Sequence, residues 1–369
     1  MTGQPTTEIA FFAPLKSPRH PVPSGDRELA RNLMQMIAVG PAGGQLPVQV
    51  TLASQLRLYE GKGSAAKQQD LWAKAELEVA RLMAELPPVS LWVTYHNYYK
   101  APDLIGPRIA KARKIPYVQI ESTRASKRLD GPWARFAEAA HEAADAADAI
   151  FYLTEKDRQA LVRDRRQGQS VTRLPPFLPM DHLPDASPLT GPMLSVGMMR
   201  EGDKLASYRL IAQALAQVSG DWRLDIAGDG TARPEVEALM APFGSRVRFL
   251  GQCTSDELAR HYGAASLFLW PGVNEAFGMV YLEAQSHGLP IVAQDRPGLR
   301  DVLAPGSHPA PELGAKALAA RIETLLGDPF ERITEAQAAR DHVAAQHLRA
   351  SASAAFWSVV TPLLQETQR

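Results

Sequence analysis

The chain has 369 residues, about 2.5 times a single-domain length of about 150, and so predicts two domains. With 45% hydrophobic and 22% charged residues and no low-complexity stretch, its composition excludes a disordered, collagenous or coiled-coil protein. Forty basic residues balance forty acidic ones, which argues against a dedicated nucleic-acid binder, although residues 1–180 carry 24 basic and 18 acidic side chains and residues 181–369 the opposite imbalance.

From the N-terminus, EIAFFAP reads as a strand ending at Pro14. A Pro/Gly-rich loop follows from Lys16 to Gly25, then a helix in which Leu29, Leu33, Met36 and Ile37 recur at helical spacing and Asp26 is placed as the cap. A strand is expected over Leu46 to Ser54, a helix over DLWAKAELEVARLMAEL, and a third strand over Ser90 to His96. The pattern continues with a helix over Gly106 to Arg113, the strand IPYVQIES, a helix from Trp133 to Ala149 and the strand AIFYLT. Strands alternating with helices imply a parallel sheet covered by helices. The proline-dense stretch Leu174 to Pro192 tolerates neither helix nor central strand and is the natural linker.

The alternation then restarts. MLSVGMM, WRLDIAG, VRFLG, ASLFLWP and LPIVAQ read as strands, with helices at Lys204 to Val218, Glu235 to Met240, Ser255 to Tyr262 and from near Phe277. The expected class is α/β, with two Rossmann-like domains, 1–180 and 181–349, whose parallel sheets face each other across a ligand cleft. A terminal helix over about 350–369 carries Phe356, Trp357, Val360, Leu363 and Leu364 and is expected to pack back on the first domain.

The single cysteine, Cys253, permits no intrachain disulfide or cysteine metal cluster and reads as a core thiol in a reducing compartment. The first twenty residues lack the pattern of a signal peptide, and no run reaches the roughly 18 apolar residues of a membrane span. A cytoplasmic protein is expected. No D-x-D, zinc-type Cys/His spacing, Walker A or G-x-G-x-x-G motif is present, so neither a metal site nor a dehydrogenase is suggested.

The stretch SLFLWPGVNEAFGMVYLEAQSHGLPIVAQ concentrates the chemistry. A strand gives way to a glycine-containing loop and a helix, whose N-terminus offers unpaired N–H groups to an anion. Glu275 and Glu283 stand eight residues apart, so both can face one ligand from different heights. Read from the residues alone, Glu275 is equally an acid favoured by the helix dipole and Glu283 a solvated helix residue.

EAFGMVYLE, with Pro271 and Gly272 before it, resembles the E-x7-E donor-site signature of the retaining GT-B glycosyltransferases of family 4. LSVGMMREGDKLASYRLIAQAL, RLDIAGDG and VRFLGQCTSDELARHYGAASLFLWP are similar to the family's nucleotide-sugar domain, so the likeness covers about residues 193–305. The resemblance implies a metal-independent hexosyltransferase with a nucleotide diphosphate sugar, a UDP-sugar being favoured, as co-substrate. It places Glu275 on the donor sugar, Glu283 on the ribose, and the backbone of Ala276, Phe277, Gly278, Met279 and Val280 against the diphosphate. Gly228, Asp229, Gly230 and Gly25 join this donor set. Lys204 falls where the family has a diphosphate-binding lysine. The family's arginine is replaced by Met198, with Arg200 two residues along, and at least one of these cations is expected to stabilise the leaving diphosphate.

In the first domain Glu121 occupies the family's histidine position at the end of IPYVQIES. It is a candidate to orient or deprotonate an acceptor hydroxyl, or else an ion-pair partner of Arg124 or Lys127. His96, Ser24 and Ser122 are further acceptor-side candidates. Arg108, Lys111, Arg113, Lys114, Arg124, Lys127, Arg128 and Arg135 fall within 28 positions. They form either a solvated face or a peripheral contact with anionic lipid, to which Trp133 and Phe136 would add apolar insertion and which would suit a lipid acceptor such as diacylglycerol. Synthesis of a polysaccharide or soluble product is the rival within enzymes, and a non-catalytic nucleotide-sugar-binding scaffold the rival outside them.

Overall fold

The computed structural model describes residues 6–22, 24–41 and 47–367. Residues 1–5, Pro23 in the first loop, Leu46 at the start of the second predicted strand and the last two residues of the predicted terminal helix lie outside the described residues. The chain forms two compact units, Met1–Pro175 with Arg349–Arg369, and Pro176–Leu348.

The first unit is built on strands β1 (Thr7–Phe12), β2 (Val48–Ser54), β3 (Leu91–Asn97), β4 (Tyr117–Ser122), β5 (Ala149–Tyr152) and β6 (Ser170–Arg173). Between them run helices α1 (Gly25–Ala38), α2 (Ala65–Glu85), α3 (Gly106–Arg113), α4 (Ala134–Ala146) and α5 (Glu155–Arg163). The six strands are all parallel, in the order β2-β1-β3-β4-β5-β6. Near-continuous burial along β1, β3 and β5 is what a sheet covered on both faces demands.

The second unit holds strands β7 (Met193–Val196), β8 (Leu224–Ala227), β9 (Val247–Gly251), β10 (Phe268–Leu269) and β11 (Ile291–Val292). Its helices are α6 (Asp203–Leu215), α7 (Arg233–Met240), α8 (Ser255–Ala264), α9 (Met279–Ser286), α10 (Gly314–Gly327) and α11 (Pro329–Gln346). This sheet is also parallel, ordered β11-β10-β7-β8-β9. Helix α12 (Arg349–Thr367) belongs to the first unit. There Phe356 stacks on Phe151 at 5.3 Å and Ser353 Oγ donates to the Gly40 carbonyl at 3.2 Å.

Both sheets reverse their winding once. In the first, β1 leads to β2 on one side and the chain then returns to lay β3 on the other side of β1; in the second, β10 returns to the far side of β7. Such reversals leave a crevice outside the carboxyl ends of the two central strands, where α/β sheets bind ligands. The two crevices lie after β1/β3 and after β7/β10.

Several local expectations need correction. Ser24, not Asp26, caps α1, its hydroxyl accepting from Arg27 N at 3.3 Å, and this leaves the Asp26 carboxylate available elsewhere. Helix α9 starts at Met279 rather than near Phe277, because Gly278 takes a left-handed φ of 71° and holds Phe277 and itself outside the first turn. The proline-rich stretch is less a free linker than a strap along the second unit: Phe177, Leu178 and Leu189 are buried, and Leu178 N bonds to the His347 carbonyl at 2.8 Å. Elements α5, β6, α10 and α11 are additional to those read from the sequence.

Candidate active site

In the second unit, the β7/β10 reversal brings together two groups 71 residues apart: Lys204, in the first turn of α6, donates from Nζ to Glu275 Oε1. Trp270, at the end of β10, donates Nε1 to the same oxygen at 3.0 Å, and the Lys204 ammonium lies 5.4 Å from its ring. Two further bonds tie the Glu275 loop to α6, from Asn274 Nδ2 to Asp203 Oδ2 at 2.8 Å and from Val273 N to Ser207 Oγ at 3.2 Å. Neither α6 nor α9 has a side-chain cap. The first-turn amides at Met279 and Val280 therefore keep the positive end of the α9 dipole open to an anion. Ala276 and Phe277 sit in the loop between Glu275 and that helix.

Glu283 lies on α9, its Oε2 accepting from Tyr262 Oη at 3.0 Å. Burial pushes its carboxyl above the usual range, partly opposed by the Tyr262 hydrogen bond. It is thus no solvated helix residue. Arg200 is exposed and makes no side-chain ion pair among the described residues, in the loop that leads into α6. Met198 is 39% exposed.

The Gly-Asp-Gly turn has a structural reason for its glycines. A Cβ at Gly228 would sit 2.0 Å from the Gly197 carbonyl oxygen and one at Gly230 2.3 Å from that of Met199. Asp229 is occupied by Arg233 at 3.1 Å and by its neighbour's N–H. These three residues shape the loop that carries Arg200 and leads into α6, and need no ligand to account for them. Gly25 is different, since a Cβ there would meet nothing within 4 Å among the described residues.

In the first unit the β1/β3 reversal also assembles charge. His96 Nδ1 lies 3.3 Å from Asp26 Oδ1, in the first turn of α1, and 3.7 Å from Glu121 Oε2, at the end of β4. The β3–β4 register pairs Tyr95 with Ile120 and resumes with Asn97 and Ser122. His96 and Glu121 fall between, with left-handed φ of 66° and 58°. Two such non-glycine residues side by side carry local strain of the kind found at functional sites. Burial alone would lower the His96 pKa, but the charges of Glu121 and Asp26 outweigh it and push it up to about 9. At neutral pH the ring is an imidazolium: a donor, not a base. Burial raises the Glu121 pKa against the pull of His96, with Asp26 and Asp157 adding to the rise, while the Asp26 pKa, despite burial, is drawn down by His96. Glu121 is therefore the group with base character here.

Other expectations do not reach the site. Ser122 is fully buried and held by Asn97 Nδ2 at 3.1 Å, so it faces no acceptor. Ser24 is spent on capping. Arg124 is turned inward onto Asp145 at 2.5 Å rather than pairing with Glu121, and Phe136 is fully buried, so neither meets a membrane. Arg108 pairs with Glu76 at 2.7 Å, Arg113 caps carbonyls at the end of α2, and Arg135 lies 4.2 Å over Trp72. Of the basic run, Arg108, Lys111, Lys114, Lys127, Arg128 and Arg135 are exposed. Sequence reading missed Asp26 as a partner of His96 and Trp270 as a holder of Glu275; only their places after β1 and β10 could have signalled them. No group of side chains suited to a metal ion occurs among the described residues, and no described helix is long and apolar enough to cross a membrane.

Two parallel-sheet Rossmann-like units define the GT-B architecture of glycosyltransferases. Solved structures agree on the fold. A sucrose-phosphate synthase from Thermosynechococcus elongatus aligns with a TM-score of 0.70 at 19% identity, over 98% of this chain and 100% of that one. Anabaena HepE in complex with UDP and glucose aligns at 0.64 with 17% identity, over 96% and 99%. Residues 192–328, within the second unit, match the family model described as Glycosyl transferases group 1. Among curated relatives, a D-inositol 3-phosphate glycosyltransferase of Streptomyces bingchenggensis is 43% identical over 95 residues, 23% of this chain and 21% of that protein. An alpha-D-kanosaminyltransferase of Streptomyces kanamyceticus is 26% identical over 265 residues, 65% and 67% of the two chains. The match thus spans about a fifth of the first relative's length.

Proposed function

We propose that the protein is a retaining glycosyltransferase that moves a hexose from a nucleotide diphosphate sugar to an acceptor hydroxyl. The observation that carries this reading is the Lys204–Glu275 ion pair at the β7/β10 reversal, beside the uncapped start of α9. A departing diphosphate needs cationic and N–H donors where its charge develops. Lys204, Arg200 and the Met279 and Val280 amides supply them. Once the diphosphate takes Lys204, Glu275 is released to accept from donor-sugar hydroxyls while Trp270 Nε1 keeps its carboxylate aimed. Glu283, partly buried and bonded by Tyr262 at one oxygen, suits a ribose hydroxyl. HepE's bound UDP favours a UDP-sugar as donor.

The first unit supplies the acceptor half of the reaction. His96 as an imidazolium is suited to orient an acceptor oxygen, and Glu121 to accept a proton from an acceptor hydroxyl. A lipid-borne acceptor is left with fewer unpaired surface cations than the sequence offered, since Arg108 pairs with Glu76 and Arg124 is buried on Asp145. The test is release of nucleoside diphosphate from UDP-, GDP- and ADP-hexoses. Glu275→Ala should abolish it with the melting curve unchanged; full activity of that variant refutes the assignment.

A further inference from the structure

Next to His96, the first unit carries a corner of aromatic rings that the donor chemistry leaves unused. The His96 ring lies 4.8 Å from Tyr98, Tyr98 lies 5.5 Å from Tyr99, and Tyr99 meets Trp133 edge-on at 5.7 Å. Tyr98, Tyr99 and Trp133 are each only partly buried, in a unit whose other large rings are mostly interior.

The corner is held firmly. Trp133 Nε1 donates to the Glu60 carbonyl at 3.3 Å, and Glu60 N donates to the Lys100 carbonyl at 2.8 Å. The buried Glu60 carboxylate in turn accepts from the backbone N–H of Lys62, Gly63 and Ser64. Such a pinned loop positions the indole without help from a ligand.

Two cations converge on the same two rings. Lys100 Nζ lies 5.6 Å from the Tyr99 centroid and 5.5 Å from that of Trp133, and Arg128 Cζ lies 5.2 Å and 5.3 Å from them. Neither cation forms an ion pair with a carboxylate among the described residues, and the nearby Asp130 pairs with neither. Like charges held against the same two rings repel, and ring faces compensate only in part. An anion bridging them would remove that repulsion and gain charge-assisted hydrogen bonds. The partly buried rings beside it suit the C–H face of a sugar or cyclitol ring.

We propose that the Tyr98–Tyr99–Trp133 corner, with Lys100 and Arg128, is the acceptor subsite, and that it takes a phosphorylated polyol or sugar whose phosphate sits between the two cations and whose free hydroxyl reaches toward His96 and Glu121. The proposal rests on the glycosyltransferase reading and deepens it by giving the acceptor a chemical class. The same phosphate chemistry occurs on a soluble metabolite and on a lipid headgroup, and the test separates these sources.

The full-length protein is titrated calorimetrically with myo-inositol monophosphate, glucose 6-phosphate, and the unphosphorylated parents, and in a parallel arm sedimented with phosphatidylinositol vesicles. The phosphorylated compounds should bind at least about tenfold more tightly than their parents, and Lys100→Gln or Arg128→Gln should each weaken them about tenfold while leaving UDP affinity unchanged. Vesicle binding lost in those variants, without binding of the soluble phosphates, places the same phosphate on a lipid. Phosphorylated compounds and vesicles bound no better than their uncharged counterparts, or bound equally by both variants, overturn the subsite. Phosphate binding that depends on both cations in a protein that binds no nucleotide overturns instead the glycosyltransferase reading and leaves the subsite standing.

Discussion

His96 shows how much one residue owes to neighbours far away in the chain. Its imidazolium is held by Asp26, 70 positions earlier, and by Glu121 on the adjacent strand. A folded-state pKa of about 9, against about 6.5 for a free histidine, means that protonation favours the fold. The stabilisation, of order 3 kcal/mol, is fully present below about pH 6.5 and is lost as the pH rises through about 9. The melting temperature should therefore fall more between pH 7 and pH 9.5 in the wild type than in His96→Gln; parallel curves would contradict this. Glu121→Gln should move the His96 titration, followed by NMR of the ring protons, down toward neutrality. An unchanged titration would remove Glu121 from the cluster. The sequence placed His96 and Glu121 at strand ends. It could not show that both would be left-handed, because nothing in their residue type asks for that conformation. The β3–β4 register imposes it.

Among the elements, the strands and most helices were legible because a covered parallel sheet writes continuous apolar runs between turn signals. The start of α9 was not, since the left-handed Gly278 shifts it by two residues and only the backbone reveals this. The loops after β7 and β10 are fixed by contacts with no local pattern, such as Trp270 on Glu275 and Asn274 on Asp203. The E-x7-E spacing announced the carboxylates, not the indole that holds one of them. The turn after β8 carries an element-scale prediction: with Gly197 and Met199 carbonyls against positions 228 and 230, Gly228→Ala should cost at least about 2 kcal/mol. It should also weaken nucleotide binding by displacing the loop that carries Arg200 and leads into α6 at Lys204. A variant as stable as the parent would show that the turn has room. Chemical denaturation checks both statements.

At the scale of the whole molecule, the chain leaves the first unit at Pro175 and returns to it with α12, whose Phe356, Trp357 and Val360 are buried. Phe356→Ala should therefore cost about 3–5 kcal/mol and lower the melting temperature while leaving nucleotide affinity to folded protein unchanged. The opposite charges of the two halves also acquire a structural meaning. In the first half Arg108, Arg124 and Arg113 are engaged by Glu76, Asp145 and the carbonyls closing α2, while Lys100 and Arg128 rest on aromatic rings. In the acidic second half, Lys204 stands at the one reversal of the sheet. That lysine bears most directly on the central claim that the β7/β10 crevice binds the diphosphate of a nucleotide sugar. Calorimetric titration of wild type and Lys204→Ala with UDP, GDP and ADP should show one nucleotide bound by the wild type and its affinity reduced at least about tenfold in the variant. Equal affinities in the two proteins, or no nucleotide bound by the folded wild type, would contradict the account.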